Sequence, residues 1–414
     1  MSISLSKASP MLNADKGNAV EPYQISKTDA AAASYLKTYK ALYLGGEDTS
    51  ESKMIRAATV ISTHSEKEMA LRLSNYKKVS THLKNLTEEQ LSTLLTTTNS
   101  IGTGTGGEIF SIKIGEVPVF VKKIRLTSIE EQNPRSTQNL FNLPAHYQYG
   151  VGSTGFGVWR EIAAHEKTTG WVLNGESQNF PLMYHQRVLQ RSTLPVPVTA
   201  EKLEDRRLHV QNWNGSESVR MQAEAADTAS ADIVVFMEHI PKMLFESLYN
   251  EENRGNLSLI EKELNTVVGF MKSRGFLHFD GHFANILTNN NHVYFADFGL
   301  AMHQDFDFSP EERAFFNKHR DYDRFYVAAE LAKVAVAPYF QGPTPYFQGT
   351  ESEELWNNYY STEKIIITLP TDVASIAKKY RSIAILMETF LADLRKSKST
   401  PYPEVELARE WAKL

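Results

Sequence analysis

Gly275-Phe-Leu-His278-Phe-Asp280-Gly-His282-Phe-Ala-Asn285-Ile-Leu287 and, a few residues on, Phe295-Ala-Asp297-Phe298-Gly299-Leu-Ala301 decide how this chain is read. They spell H-x-D-x-x-x-x-N followed by D-F-G. Ile286-Leu287 and Val293-Tyr-Phe-Ala296 are short apolar runs on either side of a turn-rich asparagine cluster, a strand–turn–strand pattern. Either motif alone is an ordinary spelling. Both in this order, each abutting a strand-like run, form a specific pattern. Upstream, Ile101-Gly102-Thr-Gly104-Thr-Gly106-Gly107 fits G-x-G-x-x-G through Gly102, Gly104 and Gly107. Glycines there let a backbone approach phosphate oxygens closely. Ser111-Ile-Lys-Ile then alternates, Gly115-Glu116 makes a turn, and Val117-Pro-Val-Phe-Val-Lys122-Lys123 returns as a strand. Period-2 alternation sends Lys122 and Lys123 to opposite faces, and a shift of register by one residue would exchange them.

These residues resemble the catalytic core of the protein-kinase-like superfamily, over about residues 100–300. The resemblance implies an α+β, bilobal fold with a β-rich N-lobe and a helical C-lobe. It implies phosphoryl transfer from ATP with Mg²⁺ or Mn²⁺, a reaction that needs positioning, charge neutralisation and an oriented nucleophile. Asp280 would accept the proton of the attacking hydroxyl, and His278 would brace the catalytic loop. Asn285 and Asp297 would supply oxygen ligands to the metal, and Lys122 would hold the α/β-phosphates under the Gly102/Gly104/Gly107 loop. Trp159-Arg-Glu161-Ile has helical composition and resembles the helix that carries the lysine's carboxylate partner. Glu161 is first choice for that partner and Glu166 second. Ile233-Val-Val-Phe-Met237-Glu238-His-Ile240-Pro241 resembles the strand entering the hinge. Met237 would be its gatekeeper, with backbone groups of Glu238 and Ile240 for adenine.

Several residues depart from the family pattern. Phe279 stands where kinases switched by activation-loop phosphorylation carry Arg, so that switch is not expected. His282 is a residue of small-molecule kinases of the aminoglycoside-phosphotransferase type. Ser309-Pro310-Glu311 is the nearest match to A-P-E and arrives early, which shortens the activation segment and weakens the peptide platform. His319-Arg320-Asp321 spells the family triplet literally, but Tyr326 replaces the Asn and no D-F-G follows. Asp321 or Asp323 is therefore read as structural. The chain is thus similar to atypical bacterial members lying between these groups. The expectation is a serine/threonine protein kinase. The alternatives are a small-molecule kinase, transfer of another group from ATP, or a nucleotide-binding pseudokinase scaffold.

At 414 residues and net charge −5, the chain carries no polycation signal for nucleic acid. With no cysteine, disulfides, zinc–thiolate sites and thiol catalysis are excluded. No segment approaches the roughly 20 apolar residues of a membrane span, and the N-terminus lacks the apolar core of a secretory signal. The location expected is cytoplasmic, or a host cell reached without such a signal.

Residues 1–25 read as a flexible N-terminus and 26–98 as a helical extension, with one helix at Asp29–Tyr43 closed by Gly45-Gly46. Ser65-x-x-Glu68 and Thr87-x-x-Gln90 read as capping boxes opening further helices. The extension is expected to brace the N-lobe. Residues 99–238 read as that lobe, with insertions at about 127–157 and 191–232. The first insertion has no helical period. The second carries Asn214-Gly215, a hairpin signal, and a loose Ala/Asp/Ser stretch at 223–232. Residues 239–414 read as the C-lobe, in which Pro-Tyr-Phe-Gln-Gly occurs at 338–342 and 345–349 as turn-rich loop. A helix from Thr371 carries Val373, Ile376, Tyr380, Ile383, Met387, Phe390 and Leu394 on one stripe. Lys378, Lys379, Arg381, Arg395, Lys396 and Lys398 follow its polar side, a solvated face or a docking site for a polyanion.

Overall fold

The computed structural model describes residues 51–96, 100–104, 107–191, 198–249, 256–339 and 369–414, with backbone alone over 51–64 and at 101, 103 and 104. The segments 1–25 and Asp29–Gly46, the residue Gly106, and most of the duplicated pentapeptide lie outside the described residues. The fold is mixed α+β. Helices α1 (Glu51–Asn85) and α2 (Glu88–Thr96) precede strands β1 (Ser100–Gly104), β2 (Gly107–Ile114) and β3 (Val117–Leu126). A short α3 (Ser128–Gln132) leads to α4 (Val158–Leu173), β4 (Met183–Gln190), α5 (Ala200–Asn212), α6 (Glu217–Asp227) and β5 (Ala231–Glu238). The five strands form one antiparallel sheet in the order β1-β2-β3-β5-β4. β5 is buried along nearly its whole length, in keeping with its apolar run from Ile233 to Met237.

The rest is mainly helical. β6 (Lys242–Met243), α7 (Leu244–Tyr249) and α8 (Leu257–Ser273) lead into β7 (Phe276–Leu277), β8 (Ile286–Thr288), β9 (Val293–Phe295) and β10 (Met302–His303). Then come α9 (Pro310–Lys318), α10 (Tyr322–Val336), α11 (Thr371–Lys396) and α12 (Glu404–Trp411). β10 pairs with β7, and β6-β8-β9 form a small sheet. These short ladders hold the two sequence motifs in fixed relative register. The apolar stripe of α11 is buried from Val373 to Leu394. Its basic side is largely engaged in the chain itself: Lys379 meets Glu261 at 2.7 Å and Lys396 meets Asp393 at 3.5 Å. Lys398 is not part of a solvated face, because it is buried with its ammonium 4.9 Å from the Trp213 ring centre.

Three local expectations are corrected. Ser65 does not open a helix. It is buried inside α1, because strong helix formers on both sides carry the helix through it. Thr87, by contrast, caps α2 reciprocally with Gln90, at 2.8 and 3.2 Å. Asn214-Gly215 joins two helices, not two strands. Both residues adopt positive φ, 58° and 69°, the geometry a tight hairpin also needs. The flanks decide otherwise: Ser216 caps α6, and Arg220 bridges Glu217 and Glu224 along one helical face. The stretch 223–232 is accordingly ordered as the end of α6 and the start of β5.

The helical extension braces the sheet. Ser80 Oγ donates to Tyr184 O at 2.7 Å and Arg187 donates to Leu86 O at 3.0 Å, so α1 covers the edge strand β4. The insertion at 127–157 is also ordered. Phe141, Leu143, Tyr147 and Phe156 from it pack with Trp213 and Val219 from the second insertion into a small apolar core. Glu130, fixed by a capping box with Thr127, accepts the Val158 N–H at 2.9 Å and so caps α4 from outside.

Candidate active site

The loop after β7 is held from below by backbone bonds. Asp323 on α10 accepts the N–H groups of His278 and Phe279 at 2.7 and 2.8 Å. Phe279 has φ 66°, a strained conformation for a bulky residue. It is retained because the two bonds to Asp323 and a stack on Tyr322, 4.2 Å between ring centres, determine it. His278 is buried, and burial pushes its pKa down to about 4, so its ring is neutral. Nε2 donates to Ala296 O at 2.9 Å, while Nδ1 accepts the Asp280 N–H at 3.3 Å. One imidazole thereby ties the first motif to the second.

Asp280 and Asn285 face each other across the loop. Asn285 Nδ2 donates to the Asp280 carbonyl at 3.0 Å and to Oδ2 at 3.1 Å. That orientation turns the Asn285 amide oxygen the other way. Burial raises the Asp280 carboxyl to about 6, with His282 at 3.7 Å moderating the rise. Ala296 N donates to Asn285 O at 2.9 Å, which sets Asp297 beside Asn285.

Asp297 has φ 60° and its side chain is half-exposed. Its neighbour Phe298 is fully buried, edge-on to His165 at 4.8 Å and to His278 at 5.3 Å. With the ring anchored inward, the carboxylate points to the cleft. Lys122 Nζ bridges Glu161 at 2.7 Å and Asp297 at 2.9 Å. Burial disfavours the ammonium, but Asp297 and Glu161 together raise its pKa above the usual lysine value. Burial likewise works against the Asp297 carboxylate, and the Lys122 charge outweighs it, holding the carboxyl at about 2. Glu166 lies elsewhere, paired with Arg135 at 2.7 Å. Lys123 points to the other face, toward Glu108 and Asp232.

Of the glycines, Gly102 is exposed with open space around it, and Gly104 pairs with Gly107 across the β1–β2 turn. Gly107 has φ 131° and backs onto the Lys123 carbonyl, so glycine is obligatory there for packing. Met237 is buried in β5 opposite Phe120 and Met183. The Glu238 amide donates to Leu182 O at 2.8 Å, and its carboxylate takes Arg72 of α1 at 2.8 and 2.7 Å. Of its polar groups only the carbonyl is left as a candidate contact for a ligand. Ile240 follows, half-buried, before Pro241.

Three features escape the sequence reading. Arg72 clamps the end of β5 through Glu238 and also donates to the Gln178 and Phe180 carbonyls at 2.8 and 2.7 Å. Arg160 forms a buried ion pair with Glu312 at 2.7 Å, tying α4 to α9. Gln148–Gly155 forms a strap along the segment after Asp297: Gln148 Nε2 donates to Leu300 O, and Gly150 abuts Asp280. No sequence pattern marks these partners, which lie 106 to 166 positions apart in the chain. Among the described residues no three His, Asp or Glu side chains gather as a metal cluster. No protein-family model matches this chain, and no curated protein matches it significantly.

Proposed function

We propose that the chain is an ATP- and Mg²⁺-dependent phosphotransferase of two-lobed, protein-kinase-like architecture, acting on serine or threonine hydroxyls of a protein. One observation carries this reading: Lys122 from β3, Glu161 from α4, Asp280 and Asn285 from the loop after β7, and Asp297 after β9 converge on one cleft. Their combined chemistry is a fixed cation for phosphate oxygens, a carboxylate base and two hard oxygen donors.

The donor set suits Mg²⁺. The Asn285 amide oxygen is turned away from Asp280, and Asp297 keeps one carboxylate oxygen clear of Lys122. Mg²⁺ takes few protein oxygens and completes its shell with phosphates and water. Bound there, it would neutralise phosphate charge during transfer. Lys122 would hold the α/β-phosphates, and Glu161 keeps its ammonium aimed. Asp280, raised to about 6 by burial, is ionised at neutral pH yet a better proton acceptor than an ordinary aspartate. It would take the hydroxyl proton as the oxygen bonds the γ-phosphorus and ADP leaves.

A second reading, a kinase of small hydroxylated molecules, is favoured by the strap, which lies over the segment where a peptide platform would stand. Intact mass after incubation with ATP and Mg²⁺ separates the readings. A phosphoryl increment in wild type, absent in Asp280→Ala and Asp297→Ala, is expected. The Asp280→Ala rate should fall about 10²–10⁴-fold with nucleotide still bound. Loss of nucleotide binding in Asp280→Ala would overturn its assigned role. An adenylyl increment would indicate transfer of another group, and turnover only with small alcohols would favour the second reading. Bound nucleotide with no turnover would favour a scaffold.

A further inference from the structure

Arg160 and Glu161 are neighbours on α4, about 100° apart around its axis, and they serve different partners. Glu161 holds Lys122 at 2.7 Å. Arg160 faces the segment that follows Asp297-Phe298-Gly299. Its Nη2 meets Glu312 Oε1 at 2.7 Å, with both side chains 3% exposed. Its guanidinium lies 4.9 Å from the Phe156 ring centre and 5.4 Å from that of Phe308, and Nε donates to Thr137 O at 2.7 Å. Lys167, seven residues on and so on the same face, meets Asp305 at 3.0 Å, but Asp305 is exposed and such pairs are weak. The buried pair is therefore the tie between α4 and this segment that is costly to break. Glu312 is itself fixed, because its Oε2 accepts Ser309 N at 3.0 Å in the capping box of α9. A rotation of α4 that carried Glu161 away from Lys122 would also carry Arg160 away from a buried carboxylate.

Between Phe298 and Glu312 the chain has one hydroxyl side chain, Ser309. Its Oγ accepts Glu312 N at 3.2 Å and donates to Glu311 Oε2 at 3.0 Å. A phosphate there would stand beside two carboxylates, one of them the partner of Arg160. Phe279, buried in its stack on Tyr322, offers no cation to receive one.

We infer that Arg160 and Glu312 are positioning residues: their buried ion pair locks α4 so that Glu161 stays on Lys122, and it holds the site assembled without any phosphate on the segment after Gly299. This rests on Lys122 and Glu161 serving the phosphoryl transfer proposed above.

The test is a double-mutant cycle on the full chain. Arg160→Met/Glu312→Gln removes both charges and keeps the α9 cap, since Gln also serves a capping box. Glu161→Gln removes the partner of Lys122, and a third variant combines all three substitutions. Autophosphorylation with Mg²⁺-ATP, affinity for Mg²⁺-ADP and Tm are measured for each. The first two variants should each lose transfer about 10-fold or more and bind Mg²⁺-ADP more weakly. The combined variant should lose no more than the worse of them, because Arg160 acts through Glu161. Losses that multiply, as a packing role alone would give, overturn the inference, and so does unimpaired transfer without the ion pair. Wild type stripped of phosphate by a phosphatase, and checked by intact mass, should transfer at its full initial rate with no lag. A lag, or a loss of about 10-fold, would mean that a phosphate assembles the site and overturns the inference. Should the lock variant fail to fold, this second measurement decides. Wild type that binds nucleotide and transfers to nothing defeats the proposed function. The cycle read on Mg²⁺-ADP affinity still decides the lock in that case: equal weakening in all three variants supports it, and weakening that multiplies overturns it.

Discussion

The two walls of the cleft are built from different materials. The side built on β3, α4 and β5 is ionic. Lys122 is clasped by Glu161 and Asp297, Arg72 by Glu238, and Arg160 by Glu312, each pair at 2.7–2.9 Å and all but Asp297 largely buried. The wall around Asp280 is made of backbone bonds and stacked rings: Asp323 on two amides, Phe279 on Tyr322, Tyr149 on His319, and the strap against Leu300. The difference teaches how each wall fails. A buried ion pair is costly to break because one charge stays behind, whereas a backbone brace fails locally and shifts what it holds.

The largest expected effect therefore lies in the ionic wall. In Glu312→Ala, Arg160 keeps its bond to Thr137 O at 2.7 Å and its contact with the Phe156 ring, but loses its counter-charge while about 3% exposed. Urea denaturation should show about 3–5 kcal/mol of lost stability. Removing both charges in Arg160→Met/Glu312→Leu should recover most of it, since an apolar pair of similar volume serves a buried position as well. Failure of the double variant to recover would mean that Glu312 acts as much through the Ser309 capping box, whose bond from Ser309 N at 3.0 Å both variants lose, as through its ion pair.

The opposite wall gives a smaller and more localised effect. Asp323→Asn replaces a carboxylate that accepts two N–H groups with an amide offering one oxygen. Either His278 N or Phe279 N then faces a donor. A loss of about 1–3 kcal/mol is expected, with kcat reduced and nucleotide KM unchanged, because Lys122 and Glu161 do not depend on this brace. A matching rise in KM would show that the walls are not independent.

What is legible in the sequence follows the motifs and not the chemistry of the walls. The motif residues announce themselves by residue type and spacing, whereas the ion pairs Arg72–Glu238 and Arg160–Glu312 do not. Lys122 is separated from Lys123 by alternation, and Asp280 from Asn285 by an interval that brings them together across one loop. Glu161 stands out on a helix following the hairpin. Stacking and strap contacts depend on pairs such as Tyr149–His319 and Gly150–Asp280, distant in sequence and of unremarkable types. Asn214-Gly215 shows the limit from the other side: its positive φ values follow from residue type, but whether the turn joins strands or helices is set by flanking helix propensity and by the burial of Trp213. Asp323 is readable as structural, while the two amides it serves are not.

The smallest effect tests the junction of the walls, Asp280 itself. Desolvation by the packed side raises its carboxyl to about 6, and His282 from the exposed side pulls it down. In the proposed role of proton acceptor it must be ionised, so kcat/KM, which reports the free enzyme, should be near its plateau at pH 7. It should halve near pH 6 and fall about tenfold for each further unit of acid. His282→Gln removes the moderating influence and should move this acid limb to higher pH, leaving the plateau above it nearly unchanged. A limb that stays at the ordinary aspartate position in wild type would mean that water reaches Asp280 freely past the strap. A limb that moves to lower pH in His282→Gln would mean that His282 acts on another group.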